Sequence, residues 1–226
     1  IGDLPDLLNG QNIEELPYKC SFEEASEYAR LMRVKTKQSL QNYVSRNADY
    51  VLERYSYIKQ GKYDDVIRLA EANFENQLAT VSSMINNNRK NVKIVLIAGP
   101  SSSGKTTTTK KLAVYLQTYG FKTHMISIDD YFIDKEFTPR LPNGEYDFES
   151  IRAIDLDLFN KQLTKLLDGE KVLLPEYNFI LGKKEYKNKW LQIKENDIIL
   201  IEGLHALNDE LTVAVERKNK FKMYII

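Results

Sequence analysis

Cysteine, histidine and tryptophan are scarce in this chain of 226 residues, which contains one Cys, two His and one Trp. Because Cys20 is alone, no disulfide can form within the chain, and the two histidines are too few to complete a Cys/His zinc site. A chain without disulfides suits a reducing compartment. We therefore expect a cytoplasmic protein.

An excess of either charge is also missing, since 32 basic residues balance 32 acidic ones. Domains that bind nucleic acid tend to carry a clustered basic excess, so the balance argues against nucleic acid as the partner. The longest apolar run, Ile94 to Ala98, is far shorter than the roughly 20 residues that cross a bilayer, and the chain does not start like a signal peptide. These absences leave a soluble globular protein without a membrane partner.

Residues 1–90 are predicted to form a helical connector. A capping box at Ser21–Glu24 opens one helix, a second covers residues 40–59, and a third covers residues 64–87. The polar run 86–91 breaks the helical pattern, and we place a domain boundary there.

From residue 91 onward, strand patterns alternate with helix patterns. Strands are predicted at residues 92–98, 123–128, 198–201 and 221–226, helices at 105–119 and 156–167, and a hairpin flap at 171–194 that turns near Gly182. Alternation of this kind predicts an α/β fold with a doubly wound, largely parallel sheet. Because the chain begins at Ile1 and stops at Ile226 inside a predicted strand, we expect a piece of a longer protein whose sheet is cut at its C-terminal end.

Residues 99–106, with the sequence GPSSSGKT, match the pattern G-x-x-x-x-G-K-[ST] directly between a predicted strand and a predicted helix. In such a P-loop, successive backbone N–H groups point at phosphate oxygens. Lys105 would reach the β- and γ-phosphates of ATP, and the Thr106 hydroxyl would ligate Mg²⁺. The residues expected to contact the nucleotide are Gly99, Ser101, Ser102, Ser103, Gly104, Lys105, Thr106 and Thr107.

Acidic residues follow two of the predicted strands. Asp129 and Asp130 come after the second strand, and Glu202 ends the third. Working groups of open parallel sheets gather at the carboxyl ends of the strands. Phosphoryl transfer needs Mg²⁺ held near the phosphates, and often a carboxylate that orients the acceptor hydroxyl and takes its proton. Asp129 and Glu202 suit these two tasks. His205 follows closely, and packing or capping is its expected role.

The chain resembles the uridine kinase and phosphoribulokinase family of P-loop kinases over about residues 92–226. The motifs that carry the likeness, in the family's order, are residues 99–107, 127–132 (SIDDYF), 146–149 (YDFE), 175–179 (PEYNF) and 202–208 (EGLHALN). The likeness is closest to the kinase module of larger bacterial proteins in which segments similar to the N-terminal part of threonyl-tRNA synthetase precede a uridine-kinase-like domain. Residues 1–90 would then connect such upstream domains to the kinase domain, residues 91–226.

The resemblance implies ATP-dependent phosphorylation of a small-molecule hydroxyl, most often the 5′-hydroxyl of a nucleoside. Asp129 matches the family's catalytic base, with Lys105 as its catalytic partner on the phosphates, and Thr106, Asp129 and Glu202 would form the Mg²⁺ shell. Glu149 falls where nucleoside kinases place an aspartate that grips the ribose diol. Tyr177 matches an aromatic residue along the substrate, and Tyr146 opens the motif that holds Glu149. A homo-oligomer is compatible with these expectations.

Several positions depart from the uridine kinase pattern. Uridine kinases commonly read Phe-Asp-His-Pro where this chain reads Phe148-Glu149-Ser150-Ile151, and they place a base-contacting histidine where Gly182 stands here. The family also closes an arginine-bearing lid over the phosphates after the strand predicted at residue 221, and no such lid can be assigned. We expect these 226 residues to bind nucleotide but to turn over slowly.

Three alternatives stay open. The acceptor could be another small alcohol, as in phosphoribulokinase, or the chain could be an ATP-binding regulatory module that phosphorylates nothing. Residues 183–190 interleave lysines with aromatic residues, as single-strand RNA binders do, although a solvated hairpin with Trp190 folded inward accounts for the same pattern.

Overall fold

The computed structural model describes residues 56, 57 and 59–225. The helix predicted at residues 21–32 and most of the one predicted at 40–59 lie outside these residues. The chain divides between Glu75 and Asn76, and the unit that begins at Asn76 holds every strand given below. The boundary predicted near residue 90 stays a prediction.

The described chain contains three α-helices and eight strands. The helices are α1 (Tyr63–Asn87), α2 (Lys105–Thr118) and α3 (Leu156–Leu167). The strands are β1 (Ile94–Ala98), β2 (Lys122–Ser127), β3 (Val172–Leu173), β4 (Glu176–Asn178), β5 (Lys183–Glu185), β6 (Trp190–Leu191), β7 (Asp197–Glu202) and β8 (Lys220–Tyr224). None of the described helices is long and apolar enough to cross a membrane.

A four-stranded parallel sheet forms the centre of the fold, in the order β2-β7-β1-β8. Every residue of β1 and β7 is buried, which explains why both strands read as near-continuous runs of branched apolar residues. The predicted α/β class and parallel sheet are confirmed. The four predicted strands lie within about two residues of the observed ones.

The strand register brings separate parts of the sequence to one edge of the sheet. Glu202 at the end of β7 lies opposite Ile97 of β1 on one side and Ser127 of β2 on the other. The chain therefore leaves β1, β2 and β7 at the same level. The loop after β1 and the turn after β2 both begin beside Glu202.

Helix α3 packs over one face of the sheet and carries the main core. It spans the predicted residues 156–167, and Asp155 caps its start by accepting a hydrogen bond from the Leu158 N–H at 3.0 Å. Phe159 and Leu163 of α3 are buried against apolar side chains of the sheet such as Leu96 and Ile201. This layer also covers the turn that follows β2.

The predicted flap is present as two short antiparallel pairs. Strand β3 pairs with β6, and β4 pairs with β5 through a turn at Gly182, whose φ is +64°. Trp190 is 52% exposed, with the Lys171 ammonium 5.1 Å from its ring centroid, so the interpretation that folds Trp190 inward is wrong. Side chains alternate along a strand, and in the two-residue strand β6 it is Leu191 that packs against the core.

Candidate active site

The loop between β1 and α2 has the curled backbone that its sequence predicts. Ser102 and Gly104 have φ values of +60° and +84°, and the Ser103 N–H donates to the Pro100 carbonyl at 3.2 Å. Gly99 has no room for a side chain, because a Cβ would lie 2.6 Å from the Ile225 carbonyl oxygen and 2.6 Å from Ser103 Oγ. Glycine at position 99 therefore lets the loop pass close to the strand end.

Lys105 and Thr106 connect this loop to its surroundings. The Lys105 ammonium donates to the Pro100 carbonyl at 2.9 Å, within the loop itself. The Thr106 hydroxyl donates to Glu202 Oε1 at 3.3 Å, which joins the start of α2 to the end of β7. Two residues predicted to share one task thus lie side by side, although 96 positions separate them in the chain.

Asp129 lies in a 3₁₀ turn, Ile128–Tyr131, that directly follows β2. The neighbouring Ile128 and Tyr131 side chains are fully buried and hold the turn, while Asp129 itself reaches solvent. Partial burial, and next the nearby Glu202 carboxylate, raise the pKa of Asp129 above its ordinary value, whereas Lys105 opposes the shift. Asp129, Glu202 and Lys105 therefore form one electrostatic group at the sheet edge.

This group suits a magnesium nucleotide better than a bare metal ion. Within residues 56–225, as far as they are described, no three His, Cys, Asp or Glu side chains are arranged to hold a metal. Mg²⁺ in phosphoryl-transfer sites is commonly held by one or two carboxylates together with substrate phosphates. The Glu202 carboxylate and the Thr106 hydroxyl are hard oxygen ligands of that kind, and the buried Ser103 hydroxyl nearby has no partner among the described residues. The residues present therefore fit a magnesium nucleotide.

Five aromatic side chains, called here the aromatic cluster, pack together beyond Asp129. They come from the segment after β2, the loop before α3, and strand β4 with the turn that follows it, and they are Phe132, Tyr146, Phe148, Tyr177 and Phe179. Phe132 is central, with its ring centroid 5.4 Å from that of Phe148 and 5.5 Å from that of Tyr177. The Tyr177 hydroxyl is buried without a partner among the described residues, so a polar group facing it would gain a hydrogen bond.

Glu149 lies at the margin of this cluster. It is exposed, its backbone N–H bonds Asp147 Oδ1 at 3.1 Å, and Phe148 beside it packs within the cluster. The sequence-predicted acceptor residues Tyr146, Tyr177 and Glu149 are thus brought to one region of the fold, on a different set of loops from the phosphate loop.

Arg140 is a residue of this region that the sequence reasoning missed. Its guanidinium lies 4.0 Å from the Tyr146 ring centroid and donates to the Tyr146 hydroxyl at 2.8 Å. It also donates to the Gly144 carbonyl at 2.7 Å. The Asn143-Gly144 pair is a turn signal, and a turn there brings Arg140 opposite Tyr146 in an antiparallel bridge. Arg140 fixes the ring of Tyr146.

His205 lies near the same edge of the sheet. Its carbonyl accepts the Asn208 N–H at 2.8 Å, as a residue in a turn does, but its ring atom Nε2 is buried and has no partner among the described residues. In its charged form the ring lowers the pKa of Asp129. His205 is therefore close enough to Asp129 to affect its charge.

A parallel sheet with a glycine-rich phosphate loop between its first strand and the next helix, and acidic groups at the neighbouring strand ends, defines a P-loop α/β protein. A sequence profile of the Phosphoribulokinase / Uridine kinase family matches residues 94–226. The chain belongs to this family, which confirms the resemblance seen in the motifs. The expected threonyl-tRNA-synthetase-like segments upstream stay a prediction.

Individual relatives agree with the family assignment. A uridine kinase from Anoxybacillus flavithermus is 32% identical over 122 residues, which cover 54% of this chain and 56% of that protein. A uridine kinase from Schizosaccharomyces pombe is 34% identical over 131 residues, which cover 54% of this chain and 26% of the yeast protein. The chain thus spans little more than half the length of the first relative and a smaller part of the second.

The similarity is not confined to proteins named as kinases. An Arabidopsis thaliana protein named inorganic pyrophosphatase TTM2 is 32% identical over 125 residues, covering 54% of this chain and 17% of that protein. Among solved structures, one titled as a possible uridine kinase from Bacillus stearothermophilus superposes with a TM-score of 0.50 at 22% identity, covering 66% of this chain and 80% of the other. This structural likeness supports the fold.

Proposed function

We propose that this protein is an ATP-dependent kinase that transfers the γ-phosphoryl group to the 5′-hydroxyl of a nucleoside. One observation carries the proposal. Thr106 contacts Glu202, and Asp129 lies close to Glu202, at the same edge of the sheet as the phosphate loop. Membership of the family and similarity to proteins named as uridine kinases support kinase activity.

The phosphate loop would bind the nucleotide through its backbone. The N–H groups of residues 101–107 would surround the phosphate oxygens, and the N-terminal end of α2 adds a favourable dipole. Lys105 would exchange the Pro100 carbonyl for phosphate oxygens, because an ammonium–phosphate contact is charge-assisted and stronger than the present one. Bound Mg²⁺, ligated by Thr106 with Glu202 and Asp129 nearby, would neutralise charge that develops on the phosphates.

Asp129 would act on the acceptor hydroxyl. A carboxylate with a raised pKa is a better proton acceptor than an ordinary aspartate. As the acceptor oxygen bonds to the γ-phosphorus and the bond to the β-phosphate bridging oxygen breaks, the hydroxyl proton passes to Asp129. Its fixed turn between two buried side chains would keep the carboxylate in place for this step.

The aromatic cluster would bind the acceptor. Tyr146, whose ring Arg140 fixes, offers a half-buried aromatic face. Tyr177 is 5% exposed and supports the region from the core, and its hydroxyl has no partner among the described residues. The exposed Glu149 carboxylate could accept hydrogen bonds from the two ribose hydroxyls. A nucleoside supplies both an aromatic base and a diol, so it satisfies both parts of this region.

A different small alcohol is the second candidate, and the turn at Gly182 favours it. A Cβ at this position would lie 2.7 Å from Lys135 Cβ, so no side chain can project there without displacing the loop after β2. The contact that a uridine kinase histidine would make with the base is therefore missing from this position. A sugar phosphate or similar polyol would not need it.

The test is a screen of the full-length protein with ATP, Mg²⁺ and a panel of ribonucleosides and sugar phosphates, scored by acceptor-dependent ADP release. Release with one or more ribonucleosides, and none with sugar phosphates, is the expected result. Release with sugar phosphates alone would replace the nucleoside by the second candidate. ATP binding with no release for any acceptor would favour a regulatory nucleotide-binding module.

A further inference from the structure

Asp130, the neighbour of the proposed base, contacts a part of the molecule that Asp129 does not. We propose that Asp130 is a positioning residue that anchors the flap, residues 171–194, to the turn that carries Asp129, so that flap position and base position are set together. This inference rests on the proposed function for its kinetic consequences, but its structural part can be tested without it.

Two contacts tie Asp130 to the flap. Its Oδ1 accepts the backbone N–H of Tyr177 on β4 at 3.4 Å. Its Oδ2 lies 3.7 Å from the Lys189 ammonium, at the start of the segment that returns to β6. One carboxylate thus holds both the outgoing and the returning part of the flap, and the backbone contact fixes the residue whose ring and hydroxyl belong to the aromatic cluster.

The turn that carries Asp129 and Asp130 is held firmly by its neighbours. Asp129 and Asp130 occupy consecutive positions of one 3₁₀ turn, held at either side by the fully buried Ile128 and Tyr131. The Tyr131 hydroxyl donates to Gln162 Oε1 at 2.8 Å, and Gln162 Nε2 donates to the Leu173 carbonyl of β3 at 3.0 Å. The flap is therefore connected to the Asp129 turn at Leu173, through Gln162, as well as at Tyr177, through Asp130.

Two further contacts hold the flap without using the Asp130 carboxylate, although Asp155, which takes part in one of them, also donates its backbone N–H to the Tyr131 carbonyl of the turn at 2.8 Å. The Lys184 ammonium bonds the Asp155 carboxylate, and the Lys135 N–H donates to the Gly182 carbonyl at 2.7 Å. They keep the flap folded when the Asp130 anchor is removed. Loss of the anchor should therefore loosen the acceptor region locally without unfolding the domain.

The charge of Asp130 is part of the arrangement. Burial raises the pKa of Asp130, Lys189 is the strongest opposing influence, and the Tyr177 N–H also lowers it. Asp130 points to the flap and touches neither the phosphate loop nor its Lys105 in the contacts described. Its role is thus to hold the acceptor side, and not to bind nucleotide or take the proton.

The experiment compares Asp130→Asn with the wild type in the full-length protein, using the acceptor found by the ADP-release screen. The amide side chain of this variant keeps an oxygen that can accept the Tyr177 N–H, but it loses the ion pair with Lys189. We expect the KM for the acceptor to rise about three- to tenfold and kcat to fall, while the KM for ATP is unchanged. Lys189→Met should reproduce the effect and Lys189→Arg should largely restore wild-type values.

Lys187→Ala is the matched control. Lys187 also forms flap ion pairs, at 2.8 Å to Glu176 and 3.5 Å to Glu185, but neither partner lies on the Asp129 turn. It should leave both KM values unchanged. An equal rise in the acceptor KM for Lys187→Ala, or a change confined to the KM for ATP, would overturn the proposal.

Hydrogen–deuterium exchange separates this inference from the kinase proposal. The amides of β4, Tyr177 in particular, should exchange faster in Asp130→Ala, which removes both the acceptor of the Tyr177 N–H and the ion pair with Lys189, than in the wild type or in Lys187→Ala. If the wild type shows no acceptor-dependent ADP release, the proposed function fails. Hydrogen–deuterium exchange at Tyr177 still tests whether Asp130 anchors the flap. Faster exchange at Tyr177 supports the anchor, and unchanged exchange overturns it.

Discussion

The phosphate loop and the aromatic cluster lie at neighbouring strand ends, but they are assembled differently. The loop consists of eight consecutive residues whose backbone carries the geometry, held at Gly99 by the strand end and at Gly104 by the helix start. The cluster draws on three segments that span residues 132–179, and its contacts are made by side chains. A local backbone site is specified by a short motif, whereas a side-chain site depends on where separate loops meet.

This difference predicts that variants should separate into two groups, those that affect the nucleotide and those that affect the acceptor. Asp129 lies between the phosphate loop and the aromatic cluster, so its substitution should change kcat and not the binding of either substrate. The predictions below test that separation, from the largest expected effect to the smallest.

Asp129→Asn should reduce kcat by about 10²- to 10⁴-fold, because the amide cannot take the acceptor proton. ATP affinity, measured by calorimetry, should change by less than about twofold. Asp209→Asn is the control, since Asp209 is exposed and pairs with Lys222 away from the site. Retained turnover in Asp129→Asn would remove Asp129 from the proposed mechanism.

Asp129→Asn should also change the free energy of unfolding. Because burial and Glu202 raise the pKa of Asp129 above its ordinary value of 3.8, the folded state binds a proton more tightly than the unfolded chain does. The ionised carboxylate therefore costs stability at neutral pH, and the cost disappears below pH 3.8. In urea titrations, Asp129→Asn should be more stable than the wild type at pH 7, with the gain lost as the pH falls toward 3.8.

Lys105→Met should weaken ATP binding by on the order of 100-fold, because it removes the only charged side chain that the loop would offer the phosphates. The KM for the acceptor, extrapolated to saturating ATP, should not change. Lys110→Met is a suitable control, since it lies on the exposed side of α2. A large rise in the acceptor KM for Lys105→Met would show that the two sides of the site are not separate.

Gly203→Ala should displace the turn that carries Asp129, which lies between the phosphate loop and the aromatic cluster. A Cβ at this position would lie 2.8 Å from Ile128 Cβ, and Ile128 directly precedes Asp129. We expect a loss of about 1–3 kcal/mol in the free energy of unfolding and a fall in kcat of about tenfold as the turn shifts. Gly120→Ala adds a Cβ into open space and tests backbone strain alone, so it should cost stability without changing kcat. Equal kinetic effects of the two variants would contradict this account.

Glu202→Gln should lower activity, because Glu202 would help to hold Mg²⁺, and its most specific effect should be a small shift in the pH dependence of the activity that remains. The Glu202 charge raises the pKa of Asp129, and the base must be ionised to act. Without that charge, the acid limb of kcat/KM should move to lower pH. A limb that stays in place, or moves to higher pH, would mean that Glu202 does not act on the group that titrates.

The agreement between sequence and structure follows the same division. Residues 99–106, the helix α3 at residues 156–167 and the buried strands β1 and β7 were predictable, because local spacing and apolar runs determine them. The flap was predictable as a hairpin, but not the exposure of Trp190, because which side of a two-residue strand faces the core depends on its neighbours. Arg140 was missed since its partner, Tyr146, becomes adjacent only when the turn at Asn143-Gly144 forms.

The sequence by itself determined the phosphate loop, the parallel sheet and the family of this protein, because these features are written in consecutive residues or in regular spacings. Only the tertiary structure decided that Thr106 contacts Glu202 across 96 positions, and that Asp130 turns away from Asp129 to hold the flap. The physical reason is strand register. Parallel pairing of β2, β7 and β1 fixes which strand ends meet, and no single segment contains that information.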